Sequence, residues 1–591
     1  MPKPINLFTV LFLMLCAASG NSQATSAPVF PGDAWGVYSW TGLKGLNKNN
    51  APHIKGGPII ISWSSLEPQN GKFEFEKEIG DKLKMIDENN FYTFLKIWVA
   101  PATSNVTATD TSWNLTPKWL FKNGVPLVAF PKTVNPLGAT TTRYFPHYLD
   151  EDYKFYFHRM IDAVGKYVLS LPPHLRKRIL YIQSAEGSTG DGGPYKGEPV
   201  NSAYAISKQQ WTDFRLETWI KYKSAFSKEG MLQFPLLTNY DANDDKLYDW
   251  MLNELPNAAG LKNGMFSHGY QISDAQQRLA NFTDFRNKVE ARGKVFFARG
   301  EMDGEYNKYG WSTKNLKQAM YWSAIYATHG GLTMWNLPTE ACLGETYVDA
   351  IEFFNKYAAE TNPEKAKGAF CAFYRGLDAA DTTSFSESTY GKATKKNSER
   401  YIKIAQSFSK YGANQEDAEK ATGGGMDNRK AKGYNDAGWQ ILKENFQRHI
   451  TQIEPETTSA AWWQIDDSIY GRYARGFEPA TGKNSLYFNL EDNFFGASPL
   501  NGSQAIEVAI TYRDSDAGSW ALRYDASNGT MKTAMTITNS GKGTGVWKTE
   551  KVKLTDAYLG NRGAKGADFM LVNTGGTNCR FHMIAVDKII K

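Results

Sequence analysis

Residues 178–199 read RILYIQSAEGSTGDGGPYKGEP. The first part, Arg178-Ile-Leu-Tyr-Ile182, is an apolar run with strand character. The second part changes at once. Small and polar residues surround one carboxylate, Glu186, and Gly187, Gly190, Gly192 and Gly193 follow. A strand that ends in a carboxylate and opens into a flexible loop is where α/β proteins often place chemistry.

The same unit recurs along the chain. Apolar runs stand at 34–40, 57–63, 91–99, 178–185, 234–240, 264–270, 294–299 and 331–336. Their nearly continuous apolar character suits parallel strands covered on both faces. The segments between them read as amphipathic helices. Ile79, Leu83 and Ile86 share one stripe, as do Trp211, Phe214, Ile220 and Tyr222. Leu279, Phe282, Phe285 and Val289 make another, with Ser273 and Gln276 as a capping box, and Leu316, Met320 and Ala324 a fourth. Eight strand–helix units predict a (β/α)₈ TIM barrel over 28–345, with its active site at the carboxyl ends of the strands. Long loops at 101–148 and 186–206 would shape the cleft.

Beyond the barrel the pattern shifts. Residues 346–433 read as a mixed helix and loop connection, and 412–433 is charged, glycine-containing and almost free of large apolar residues. From 434 to 591 short alternating strands separated by turns predict a jelly-roll-like β-sandwich, with strands at 506–512, 520–524, 547–554, 569–572 and 581–586.

Composition narrows the function. A chain of 591 residues is too long for one ordinary core. Residues 1–24 have the form of a signal peptide, with Lys3 before an apolar core at 7–18, so a secreted or periplasmic protein without a membrane span is expected. Cys342, Cys371 and Cys579 remain after cleavage. Cys342 and Cys371 either pair or pack as free thiols. CxxC, HExxH, GxSxG and P-loop motifs are absent, which removes the usual support for metalloprotease, serine hydrolase and NTPase readings. The net charge of +6 is too small and dispersed for a nucleic-acid partner. Aromatic residues at 14% fit large cores or sugar-stacking platforms.

Glu186 ends the fourth run and Glu301 follows the seventh. Strands 4 and 7 of such a barrel lie on opposing parts of the mouth. Hydrolysis of a glycoside needs two carboxyl groups flanking the sugar–oxygen bond, one to protonate the leaving oxygen and one to attack or activate water. No cofactor and no metal are required.

This placement resembles the clan A glycoside hydrolases. The stretch Ile61-Ser-Trp-Ser-Ser-Leu-Glu67-Pro-Gln-Asn-Gly71-Lys-Phe73 is similar to the strand 2 signature of family 42 and 35 β-galactosidases, and Thr116-Pro-Lys-Trp-Leu120 with Gly124-Val-Pro126 is similar to a second segment of the same enzymes. The resemblance covers the barrel. It implies retention of configuration, with Glu186 as acid/base and Glu301 as nucleophile, and carboxyl groups about 5–5.5 Å apart. It also implies Tyr270 as a hydrogen-bond partner of the nucleophile and Trp335 as the floor under the sugar; plain core packing is the alternative for both. A homo-oligomer follows by analogy alone. Ala185 departs from the family, which carries Asn before the acid/base and uses it to contact the sugar 2-hydroxyl. That departure fits a divergent branch acting on an algal galactan such as agar or sulfated carrageenan.

Arg299, two residues before Glu301, would lower its pKa or form a barrel salt bridge. Trp40, Trp63 and His268 are further substrate-binding candidates. Glu67 reads as an anchor for the turn after strand 2, and Asp191, Asp303, Glu305 and Glu340 are rival carboxylates. The sequence therefore points to an exported retaining glycosidase cleaving β-galactosidic bonds in a polysaccharide or its oligosaccharides. The alternative is a non-catalytic carbohydrate-binding protein on a decayed barrel.

Overall fold

The structure, a computed structural model, describes residues 30–100, 115–134, 140–188, 192–195, 197–239, 244–263, 275–302, 316–358, 362–375, 381–394, 397–411, 445–463, 473–496, 504–514, 517–542 and 546–589. The leader at 1–24, the run at 264–270 and the linker at 412–433 lie outside the described residues.

Eight parallel strands form one sheet: β1 Gly36–Ser39, β2 Ile59–Ser62, β3 Thr93–Trp98, β4 Ile179–Gln183, β5 Leu236–Asn239, β6 Ala258–Asn263, β7 Val295–Glu301 and β8 Met334–Leu337. From β2 to β8 each lies beside its neighbour in sequence, and β1 lies beside β8. The two ends of the sheet meet at Gly56, which bridges to Tyr38 and to Tyr92. Ser39 N donates to Gly56 O at 2.9 Å. A Cβ on Gly56 would stand 1.8 Å from Tyr92 O, so only glycine fits where three backbones meet. These contacts close a (β/α)₈ barrel. The closure is partial in height. Pro58 has no N–H to carry the ladder on, and β2 pairs along its length with β3.

The helices follow in turn: α1 Asp81–Glu88, α2 Glu151–Ser170, α3 Lys208–Ala225, α4 Asp245–Glu254, α5 Ala275–Glu290, α6 Leu316–His329 and α7 Val348–Tyr357. Among the described side chains, Ile79, Leu83, Ile86, Trp211, Phe214, Tyr222, Phe282, Phe285, Val289, Met320 and Ala324 are buried; Leu316 is half-buried and Ile220 faces out. Ile220 is 55% exposed, and Trp219 takes the place on α3 that the sequence reading gave to it. Trp211, Arg215, Thr218, Trp219 and Tyr222 are the spacing that faces inward.

The sixth strand also differs from expectation. It is Ala258–Asn263, ahead of the run at 264–270. Its residues are small because the barrel interior is crowded there. The Phe297 ring lies 2.1 Å from where a Cβ of Gly260 would stand. Tyr38, Phe94, Tyr181, Leu237, Phe297 and Met334 fill the lower barrel as an aromatic and aliphatic plug.

The long loop after β3 carries an antiparallel hairpin, Leu127–Val134 with Thr140–Pro146. Val200 N donates to Ala129 O at 2.9 Å, tying it to the loop after β4.

The sandwich contains β9 Gly368–Ala372, β10 Phe446–Arg448, β11 Ile450–Ile453, β12 Ala460–Trp463, β13 Tyr473–Gly476, β14 Ser485–Leu490, β15 Gln504–Arg513, β16 Ser519–Asp525, β17 Met531–Thr538, β18 Trp547–Ala557, β19 Phe569–Asn573 and β20 Arg580–Lys588. One sheet runs β10-β9-β20-β13-β12, with β15 joining β20 to β18; the other runs β11-β14-β19-β16-β17. β9 falls inside the 346–433 stretch that the sequence presents as a connection. Its sequence, GAFCA, is apolar at every position because both faces are covered. Ala369 and Cys371 enter the sandwich core, while Phe370 and Ala372 enter the barrel's core.

That second face welds the two domains. Trp322 on α6 packs edge-on against Tyr473, with centroids 4.7 Å apart, and against His582 at 5.3 Å. Arg448 Nη1 donates to Thr328 O at 3.0 Å and to Tyr357 O at 3.1 Å. One cation thus serves the last-turn carbonyls of α6 and α7. Cys342, Cys371 and Cys579 are buried free thiols. Among the described residues no helix is long and apolar enough to cross a membrane.

Candidate active site

Side chains on a strand alternate between its two faces. On β7, Phe296 and Ala298 pack into the helical layer. Phe297 lies in the plug, so Arg299 and Glu301 continue upward on the inner face. Both are buried. The Arg299 guanidinium donates to Glu301 Oε2 through Nη1 at 3.1 Å and Nη2 at 3.0 Å, and through Nη1 to Asn336 Oδ1 on β8 at 3.1 Å. It also lies 4.6 Å from the Trp40 ring and 5.2 Å from the Phe94 ring.

Two further cations reach the same carboxylate. Lys262 on β6 pairs its Nζ with Glu301 Oε1 at 2.8 Å. Lys96 on β3 is 1% exposed and acts on Glu301 through its charge. Burial by itself would push the Glu301 carboxyl up. Lys262, Arg299 and Lys96 outweigh that and bring its pKa down to about 2. Glu301 is therefore an ionised carboxylate at neutral pH, fixed by charge-assisted bonds at the top of the plug.

Gln183 belongs to the same inner face. It lies one alternation above Tyr181 on β4, and its register partner on β3 is Lys96. Both ends of its amide are buried with no partner among the described residues. A buried amide left unpaired costs about 1–3 kcal/mol, and a water or ligand in the mouth is what relieves it.

Glu186 occupies a different place. Continuing from Tyr181 and Gln183, the inward residue is Ala185 and the outward one is Glu186. Its carboxylate lies against α3. Trp219 Nε1 donates to Oε1 at 2.9 Å, and Arg215 Nε is 3.6 Å from Oε2. All three side chains are fully buried. Gly187 lets the loop turn back over this site; a Cβ there would stand 2.4 Å from Gly193 O and 3.0 Å from Trp211. The structure thus gives Glu186 partners in the helical layer and Glu301 partners inside the barrel.

No protein-family model matches the chain, and no curated protein sequence does. Solved structures do resemble it. The catalytic domain of β-amylase from Paenibacillus polymyxa is 10% identical over 55% of this chain and 98% of that one, with a TM-score of 0.34. The β-galactosidase from the psychrophilic Marinomonas ef1 is 11% identical over 54% of this chain and 59% of that one, at 0.33. The C-terminal CBM6 of LamC from Zobellia galactanivorans is 14% identical over 24% of this chain and 99% of that one, at 0.16. Likenesses at this identity and score carry neither an activity nor a substrate to this chain.

The other site residues divide in the same way. Trp40 is half-buried beside Arg299 and stays with the mouth. Trp63 does not. It is fully buried, donates from Nε1 to Glu67 Oε2 at 2.9 Å, and packs edge-on against Trp119 and Tyr153. Trp335 faces the helical layer, 5.5 Å from the Phe354 ring on α7, because Met334 and Asn336 take the inner face of β8. It forms no floor for the mouth. Tyr270 and His268 lie outside the described residues, as do Asp191, Asp303 and Glu305. Glu340 is exposed on the short helix after β8. Glu67 anchors the turn after β2, accepting from Gly71 N at 2.8 Å and pairing with Arg159.

Sequence reading missed Lys96, Gln183, Lys262 and Asn336. Lys96 had a visible signal: a lysine inside the apolar run Thr93-Phe-Leu-Lys-Ile-Trp98, where only a paired or functional charge is tolerated.

Proposed function

We propose that the chain is a glycoside hydrolase that cleaves β-galactosidic bonds in a polysaccharide or its oligosaccharides, with Glu301 as the reacting carboxylate. One observation carries the reading: a buried carboxylate held ionised at the barrel mouth by three cations. A carboxylate of low pKa does not donate a proton, but it attacks or stabilises a positively charged sugar carbon well. The galactan assignment rests on the Trp63–Phe73 stretch and its similarity to family 42 and 35 enzymes. The cationic mouth supports a sulfated galactan such as carrageenan over a neutral one. The leader at 1–24 supports export.

In a double displacement Glu301 forms the glycosyl-enzyme bond as the leaving oxygen takes a proton, and water then returns the sugar with retained configuration. The sequence resemblance gives the proton to Glu186. The contacts of Glu186 with Trp219 and Arg215 favour a structural role for it instead. The same contacts favour a second reading, a barrel that binds carbohydrate without cleaving it.

A reducing-end assay on agar, carrageenans and neutral β-galactans separates the two. Hydrolysis by the wild-type protein, lost by at least about a thousandfold in Glu301→Gln, is the expected result. Binding of a galactan with no reducing ends released supports the second reading. Activity unchanged in Glu301→Gln removes Glu301 from the chemistry.

A further inference from the structure

The β1–β2 seam is the starting point. Below Gly56 the two ends of the sheet are hydrogen-bonded, and above Pro58 the β2 ladder runs to β3. A cavity of about 580 Å³ lies at this opening. Trp40 and Trp98 line it, together with Pro58, Ser62, Lys44 and Lys82. Trp40 is also the ring against which Arg299 packs, so the cavity and the Glu301 cluster share a wall.

Three features of the cavity go together. It offers two indole rings, the side-chain type that best covers the C–H face of a sugar. The Trp98 Nε1–H is buried and has no acceptor among the described residues. An indole N–H can only donate, so an oxygen of a bound ligand would satisfy it. Finally, among the described residues the charged side chains lining the cavity are Lys44 and Lys82, with no Asp or Glu. Lys82 is bonded to Glu78 at 2.9 Å, whereas Lys44 is exposed. Lys96 Nζ lies 5.5 Å from the Trp98 ring and adds to the positive potential.

We propose that the seam cavity is a subsite for one sugar residue bearing an anionic group, a sulfate ester or a carboxylate. Trp40 and Trp98 bind the ring, Trp98 Nε1 donates to an oxygen of the substituent or the ring, and Lys44 with Lys82 selects for the charge. This deepens the glycosidase reading and rests on it only in taking a carbohydrate as the ligand. A neutral sugar leaves Lys44 without a partner, while Lys82 keeps its bond to Glu78, so the charge on Lys44 makes an anionic substituent the selected property.

Calorimetric titration of the full-length Glu301→Gln protein tests the subsite without turnover. The probes are a sulfated galacto-oligosaccharide, its desulfated counterpart and an oligogalacturonide. The charged probes are expected to bind about tenfold tighter than the neutral one, and whichever binds more tightly identifies sulfate or carboxylate as the substituent. Adding Lys44→Met and Lys82→Met should erase the preference. Adding Trp98→Phe, which keeps the ring and removes the N–H, should weaken all binding by about tenfold with the melting temperature unchanged. Equal affinity for charged and neutral probes overturns the subsite alone, as does a preference that survives loss of both lysines. Failure of every oligosaccharide to bind overturns both the subsite and the carbohydrate reading.

Discussion

Lys262 and Glu301 form a pair whose charge can be tested by titration. A carboxyl whose pKa is depressed to about 2 stays ionised as the pH falls through the ordinary carboxylate range. The acid limb of kcat/KM is therefore not set by Glu301 in the wild-type protein. Removing one of its cations in Lys262→Met should raise the Glu301 pKa by on the order of one unit or more, read by NMR titration of the carboxyl carbon. A Glu301 pKa unchanged in that variant would show that Lys262 does not hold the carboxylate ionised. Glu186 makes the opposite test. Glu186→Gln removes an anion from beside the buried Arg215 and should cost roughly 3 kcal/mol of stability, seen as a lower urea midpoint. Activity per folded molecule should stay within a few-fold. Activity abolished at unchanged stability would restore Glu186 to the chemistry. Glu301 was legible because it follows an apolar strand directly. Its partners were not legible, since each contributes one polar residue from a different strand and only closure of the barrel brings them together. Trp63 and Trp335 were misread for a related reason: being aromatic and near a strand end does not say which face a side chain takes.

Closure of the barrel depends on an element of three residues, Gly56-Gly57-Pro58. Gly56 admits no Cβ beside Tyr92 O, and Pro58 ends the ladder that Gly56 begins. Gly56→Ala should therefore open the seam from below and cost at least about 3 kcal/mol, measured by denaturant unfolding. Wild-type stability in that variant would show that the β1–β2 junction does not hold the barrel shut. Seven of the eight strands were legible from continuous apolar runs. The sixth was not, because Gly260 and its alanine neighbours yield their interior space to Phe297, and small residues give a weak strand signal. β9 was hidden differently. It lies far in sequence from the strands it joins, and pairing with β20 is a long-range choice that no local pattern records.

At the scale of the whole molecule, the weld between barrel and sandwich contains two histidines, His582 buried and His329 half-buried. Burial pushes His329 down to about 4 and His582 down to about 3, so both are neutral at pH 7. An unfolded histidine titrates near 6.5. Below that value the unfolded chain binds protons that the folded chain refuses. Their stabilising contribution is thus complete above about pH 6.5 and is lost as the pH falls toward 4 and 3. The melting temperature should drop over this window, and His582→Gln should flatten the drop. A variant whose pH dependence matches the wild type would place the acid sensitivity elsewhere. Glu301 is the residue on which the proposed chemistry depends. A 2-deoxy-2-fluoro glycosyl fluoride built on the sugar that the protein cleaves would trap a retaining nucleophile, and peptide mapping by mass spectrometry would locate it. The predicted result is one adduct per chain, on the peptide that contains Glu301. An adduct on the peptide that contains Glu186, or turnover of the probe with no adduct at all, would contradict it.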